Sequence, residues 1–378
     1  MDTILCGIPL LLVKSRILFI VPYPVGQVAS QRFRFEQYLD PLKKSHHIEI
    51  QSFYSKQTFS ILYKNGHFTE KVTGFLMGIL RRLSLLVRLQ SFDRVFIHRE
   101  AAPLGPPVFE WLIARFFKMP LIYDFDDAIW MVDDSSSTSA FFRWLKFPHK
   151  VRSICRWSHH ISAGNAFLAD FASEFNPNIS IIPTTIDTAN YHVPPEDKRQ
   201  SPMDKRQPSD QLLVIGWTGT HSTLPYLAPL IPILRKLQED HPFIFKVICN
   251  QPPGFDLPGL QFVPWTKEHE ISDLNSFDIG VMPLPDTNWA KGKCGFKILQ
   301  YLALQIPSIA SPVGVNCQII KHGQNGFLCQ SDEDWLTYLK TLLIDPKLRA
   351  RLGASGRETV IHSYSTRAVA NDFFSLFD

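Results

Sequence analysis

The chain has 378 residues, 45% of them hydrophobic, and a formal net charge of +4. That length and apolar content suit two domains, each with its own core, and so mild a charge does not mark a nucleic-acid binder. Six cysteines occur without a Cys-x-x-Cys pair, which argues against a disulfide framework or a zinc site and for a reducing, cytoplasmic setting.

Residues 1–15 hold an apolar run, TILCGIPLLLV at 3–13. It is too short to span a bilayer and lacks the small-residue cleavage site of a signal peptide. It reads as a loosely ordered extension, with interfacial contact as the alternative. From residue 16 onward apolar runs alternate with helical patterns, which indicates α/β architecture with mostly parallel sheets. In residues 16–190 the expected strands are Ile17–Val21, Ile48–Phe53, Arg94–His98, Leu121–Phe125, His160–Ala163 and Ile179–Pro183. The expected helices are Gln31–Lys43, Thr73–Leu89, Val108–Phe117, Phe141–Ser158 and Asn165–Phe175. Residues 191–211 turn polar and proline-bearing and read as an interdomain linker. In residues 212–363 the strands are Leu212–Trp217, Phe243–Cys249, Leu260–Val263, Phe277–Met282, Ser308–Ala310 and Gly326–Cys329. Helices fall at Leu224–Glu239, Phe296–Leu304, Glu333–Leu343 and Leu348–Ser363, and a last one at Thr366–Phe377 within residues 364–378.

The segment Lys291–Gly314, KGKCGFKILQYLALQIPSIASPVG, is the most informative. Lys293 and Lys297 flank a helix start at Gly295-Phe296. A helix N-terminus presents free backbone N–H groups and partial positive charge, so it suits a phosphate. Gly295-Phe296, Tyr301-Leu302-Ala303, Pro307–Ser311, Val313-Gly314 and Asn325-Gly326 follow in fixed order. Together they resemble the donor-site motif of glycosyltransferase family 4. The resemblance implies retaining chemistry and the GT-B fold: two Rossmann-like domains facing across a cleft, with the C-terminal helix crossing back to the first. It implies a nucleotide-diphosphate sugar as co-substrate, with no metal and no other cofactor. The family's usual pair of glutamates is replaced by Gly292 and Gln300. A neutral Gln still hydrogen-bonds a ribose hydroxyl, at about 1 kcal/mol against roughly 1.5–3 for a charged partner.

Further donor-side candidates are Gly219, Thr220 and His221 in the loop GWTGTHST, which follows a strand and precedes a helix. This loop faces a diphosphate or is a tight turn capped by Ser222 or Thr223. Trp217 stands where the family usually has Arg. Trp265, at a strand end, stacks on the base or closes the core.

Tyr123–Trp130, YDFDDAIW, sets Asp124, Asp126 and Asp127 at a strand end. Three adjacent carboxylates repel one another, which points to work such as acceptor binding or assistance to the exchange of leaving group. A helix-capping cluster is the plainer reading. An Asp-x-Asp metal site of the GT-A kind fits only superficially. In family 4 this strand end often carries a functional histidine, and Asp126 stands in its place.

Acceptor-side candidates are Gly26, Arg32 and Arg34 in Pro22–Phe35, with His98 and Arg99 at another strand end. Basic residues in a first helical turn oppose the helix dipole, which hints at an anionic ligand; pairing with nearby acids is the other reading. Phe75–Gln90 and Phe141–Trp157 are basic and amphipathic and suit either packing on a sheet or an anionic membrane surface. The expected function is transfer of a hexosyl group to a glycan or lipid-linked acceptor in cell-surface polysaccharide synthesis, in the cytoplasm or peripherally on its membrane face. A nucleotide-sugar epimerase of the same fold and a non-catalytic sugar-nucleotide binder are the alternatives.

Overall fold

The computed structural model describes residues 14–131, 144–195 and 212–378. The apolar run at 3–13, the start of the expected Phe141–Ser158 helix and most of the expected linker lie outside the described residues.

Among the described residues, twelve strands form two parallel six-stranded sheets. The first contains β1 (Arg16–Val21), β2 (His47–Ser52), β3 (Arg94–His98), β4 (Leu121–Phe125), β5 (His160–Ala163) and β6 (Ile179–Ile181), in the order β2-β1-β3-β4-β5-β6. The second contains β7 (Val214–Thr218), β8 (Ile244–Cys249), β9 (Leu260–Pro264), β10 (Ile279–Met282), β11 (Ser308–Ala310) and β12 (Gly326–Leu328), in the order β12-β11-β10-β7-β8-β9. Central strands such as RILFIV are apolar at almost every position because helices cover both faces. Phe19 of β1 sits in register with Ile50 of β2 and Phe96 of β3. Strand order reverses between β1 and β3 and between β7 and β10, the places where such sheets bind ligands.

Leu18 and Ile20 of β1 pack on one side with Leu85, Phe109, Ile113 and Val151 from three crossover helices. Ile17, Phe19 and Val21 pack on the other with Tyr38, Val369, Phe373 and Phe377. The last four-residue partnership fixes the chain's end: helix Thr366–Phe374 lies on the first sheet, with Phe373 stacked on Tyr38 at 4.5 Å.

Strand positions match the sequence pattern within a residue or two, whereas several helices break. The expected Gln31–Lys43 helix is a single turn at Ala29–Arg32, a tight turn at Glu36–Tyr38 and a helix at Leu39–Ser45. Phe35, with φ −135°, leaves the helical region, and Arg34 turns into the interior. Pro225 lies inside a tight 3-10 turn, His221–Leu227, and Pro229 precedes the helix Leu230–Asp240. Two prolines thus split the expected Leu224–Glu239 helix. Phe147, with φ +53°, and Pro148 likewise interrupt the expected Phe141–Ser158 helix, which is helical at 144–146 and resumes at Lys150–Trp157.

Candidate active-site cleft

The wall from the second sheet is built around the helix Phe296–Ala303. Its N-cap, Gly295, has φ +66° and no side-chain cap, and a Cβ there would stand 2.4 Å from Ile319 Cδ1. Glycine is therefore required both by conformation and by space. The first-turn N–H groups are left without a capping side chain, as an anion site needs. Lys297 lies in that turn, its Nζ 5.4 Å from the centre of the buried Trp217 ring, and Lys293 Nζ lies 5.3 Å from the Trp289 ring. The pKa of Lys297 is pushed down to about 7, first by burial and next by Lys293, while Asp127 from across the cleft pulls it back up.

Trp217 also explains Gly219: a Cβ there would come within 2.5 Å of the indole. The loop it supports is closed on itself. Gly219 N–H donates to Ile248 O, Thr220 N–H to Thr223 Oγ1 and His221 N–H to Asn250 Oδ1. The side chains of Thr220 and His221 are exposed, but these three backbone donors are already occupied. Trp265 is half-buried beside Val263 and Ile271, at the edge of the core under β7 and β8.

On the first sheet the three aspartates separate into two roles. Asp124 is buried and accepts from Ser162 Oγ at 2.7 Å, from Arg34 and from the His98 ring at 2.7 Å. Burial alone would raise its pKa, but Arg34 and His98 outweigh that and hold it well below the usual carboxylate range. Arg34 and His98 are as deeply buried as Asp124. This triple is an internal brace between β3, β4 and the loop after β1. Asp126, 11% exposed, and Asp127, 30% exposed, follow the strand and share Arg99, which donates to Asp126 Oδ1 at 2.8 Å and to Asp127 Oδ2 at 2.7 Å. Burial would lower the Arg99 pKa, but the two carboxylates raise it. Arg99 adopts φ +61°, a left-handed geometry unusual for a non-glycine residue.

The walls meet along a seam. Asn165, the N-cap of helix Ala166–Ser173, donates to the carbonyls of Gly292 and Lys293 at 3.2 and 3.1 Å. Cys294 Sγ donates to Asp126 O at 3.1 Å. A Cβ on Gly292 would stand 2.7 Å from Ala128 Cβ, so the strand end after Asp127 fills the space where a side chain would go. Arg32 pairs with Glu270 at 2.7 Å and bonds Tyr191 at 2.9 Å, and Lys267 Nζ donates to Gly26 O at 3.1 Å. Phe33 packs on Phe296 at 4.5 Å. Gln300 is buried and hydrogen-bonded to the His192 ring at 3.3 Å; burial, Arg32 and Arg357 push the His192 pKa down to about 3.

The structure thus brings Lys293, Lys297, the Gly295 helix start, Arg99, Asp126 and Asp127 to one cleft. It places Arg34, His98 and Asp124 in the interior, Gly26, Arg32 and Phe296 in contacts between the sheets, and Gln300 against His192. Sequence reasoning missed Asn165, Lys267 and Glu270. Asn165 carried a signal, Gly-Asn at a strand end before a helix; Glu270 carried none. Among the described residues no group of three His, Cys, Asp or Glu side chains is arranged to hold a metal ion.

Residues 260–359 match the family model for glycosyl transferases group 1. No curated protein matches the chain. Among solved structures it resembles sucrose-phosphate synthase from Thermosynechococcus elongatus, with a TM-score of 0.66 and 12% identity over 96% of this chain and 98% of that one. A glycosyltransferase from Rickettsia africae ESF-5 gives 0.64 and 14% over 97% and 98%. Anabaena HepE in complex with UDP and glucose gives 0.61 and 12% over 96% and 99%. The chain therefore has the GT-B fold, and the segment matching glycosyl transferases group 1 contains the lysine-flanked helix start of the cleft.

Proposed function

We propose that this protein is a metal-independent, retaining glycosyltransferase of the hexosyl type. It takes a sugar from a nucleotide-diphosphate donor and passes it to a glycan or lipid-linked acceptor, in the assembly of cell-surface polysaccharide. The observation that carries this reading is the uncapped helix start at Gly295 with Lys293 and Lys297 beside it, facing Asp127 across the cleft. As the bond between the anomeric carbon and the diphosphate breaks, charge grows on the leaving oxygen. Two lysines and a helix N-terminus stabilise that charge electrostatically. HepE, of the same fold, is seen with UDP and glucose.

Arg99 holds Asp126 and Asp127 at the cleft, where they are placed to orient an acceptor hydroxyl. Asn165 and the Cys294–Asp126 contact tie this wall to the donor loop, so donor and acceptor sides keep one spacing. The epimerase alternative needs a proton donor in the aspartate cluster. Asp124 is held ionised by Arg34 and His98, which removes that residue from such a role.

Thermal unfolding with a panel of nucleoside diphosphates, with and without EDTA, tests the donor site. A ligand at ten times its Kd should add about 1.4 kcal/mol, enough to move the melting point. Stabilisation by one nucleotide regardless of EDTA is the expected result; stabilisation only with a divalent metal overturns the metal-independent reading. Sugar transfer from the matching donor, followed by the anomeric configuration of the product, then separates a transferase from an epimerase and from a non-catalytic binder.

A further inference from the structure

Helix Phe68–Val87 has two apolar faces. Gly74, Gly78, Arg82 and Leu85 form the buried one, against the first sheet. At 100° per residue, Val72, Leu76, Leu80, Leu83 and Val87 fall on the opposite side. All five are exposed, Leu76 and Leu80 by 56% each and Val87 by 91%. They form a continuous stripe about 22 Å long. A water-facing helix side is normally polar, so five consecutive outward positions filled by Val and Leu call for a partner. The neighbouring crossover elements on the same face of the sheet add Trp111, Phe116, Trp144 and Phe147, all exposed.

Charge decides which partner. The segments that build this face, residues 56–90, 108–118 and 144–157, carry twelve lysines and arginines and two carboxylates. Over the whole chain the corresponding numbers are 39 and 35. Arg82 is buried, the half-buried Arg81 donates to Phe53 O, and Arg88 and Lys150 pair with Glu49 and Glu100, which leaves eight. A second copy docked through this face would set like charges against one another. A nucleic acid would leave the aliphatic stripe in water. An anionic bilayer takes both, with Val and Leu entering the acyl boundary and the cations meeting lipid phosphates. Among the described residues no helix is long and apolar enough to cross a membrane, so the contact is a surface one.

We infer that this face docks the protein on an anionic membrane, with helix Phe68–Val87 lying in the interface. The helix starts beside the cleft mouth: Tyr63, five residues before it, bonds Tyr23 of the loop after β1 at 3.2 Å between hydroxyls. A docked molecule would hold its cleft next to the lipid surface. The inference does not depend on the transfer chemistry, so a failed vesicle assay leaves the donor site untouched.

The test is co-sedimentation of the full chain with phosphatidylglycerol–phosphatidylcholine vesicles and with phosphatidylcholine vesicles alone. Binding to the anionic vesicles only, weakened by salt, is expected. The triple variant L76S/L80S/L83S and the charge variant K64E/K118E should each lose at least tenfold in partitioning while keeping the wild-type shift of melting point with nucleotide. The charge variant keeps the test decisive should the triple variant fold poorly. Equal sedimentation with neutral vesicles, no loss in the charge variant, or a lipid-free dimer that the variants dissociate would overturn the proposal.

Discussion

Asp124 and Asp127 are three positions apart and do opposite work. Asp124 is enclosed by Arg34, His98 and Ser162; removing its charge leaves a buried guanidinium without its main partner. Asp124→Asn should cost about 3–5 kcal/mol in urea unfolding. Its folded pKa is depressed, so the wild-type contribution is complete above the unfolded value of about 3.9 and is lost as pH falls through the lower folded one. Asp127→Asn should leave unfolding within about 0.5 kcal/mol of wild type and lower turnover, because its carboxylate sits at the cleft surface. Lys297 gives a pH signature of its own. Free, it titrates near 7 because burial and Lys293 disfavour its charge; a bound diphosphate restores that charge. Binding above pH 7 should therefore take up a proton, and affinity should fall by up to tenfold per pH unit. Calorimetry in buffers of different ionisation enthalpy measures that uptake, and Lys297→Met should abolish it.

The loop that begins with Lys291 and Gly292 shows how an element limits what one residue can be. A Cβ at Gly292 would stand 2.7 Å from Ala128 Cβ and 3.1 Å from Ala128 N. Restoring an acid by Gly292→Glu must push back the strand end that carries Asp126 and Asp127. We expect it to lower both the melting point and turnover, and a gain in turnover would refute this packing. The strands and the lysine-flanked helix start were legible because they rest on local signals, apolar runs and a glycine before a helix. The break at Phe147 had a local mark in Pro148, which disfavours a helical residue before it, though the expected helix ran through it; the break at Phe35 had none, since it is set by a tertiary demand: Arg34 must turn inward to reach Asp124. For the same reason the run of three aspartates read as one unit, although β4 is buried at every position and keeps Asp124 inside, while the loop after it turns the other two to the cleft. Gln300, read as a ribose contact, is buried against a histidine far away in sequence, which no local pattern reports.

At the scale of the whole molecule the two sheets are held together at points that face one another across the cleft. Arg32 of the first domain and Glu270 of the second are both nearly buried, and Tyr191 bonds both. A buried pair gains little over an apolar one, because desolvation offsets much of the attraction, but an unpartnered buried charge is expensive. Removing Glu270 alone would leave the Arg32 guanidinium hydrogen-bonded, among the described residues, to Tyr191 alone and cost about 3–5 kcal/mol if the domains stayed closed. They have a cheaper course: opening the cleft returns Arg32 to water and gives up only the seam contacts, such as Lys267 to Gly26 and Phe33 to Phe296. Glu270→Gln should therefore raise the radius of gyration in small-angle scattering while shifting the unfolding midpoint little, and saturating nucleotide should restore part of the compaction. The double variant R32M/E270L, which replaces the charges by apolar groups of similar size, should scatter like wild type. A closed Glu270→Gln protein that unfolds several degrees earlier would mean instead that the seam is rigid and that the ion pair only stabilises it.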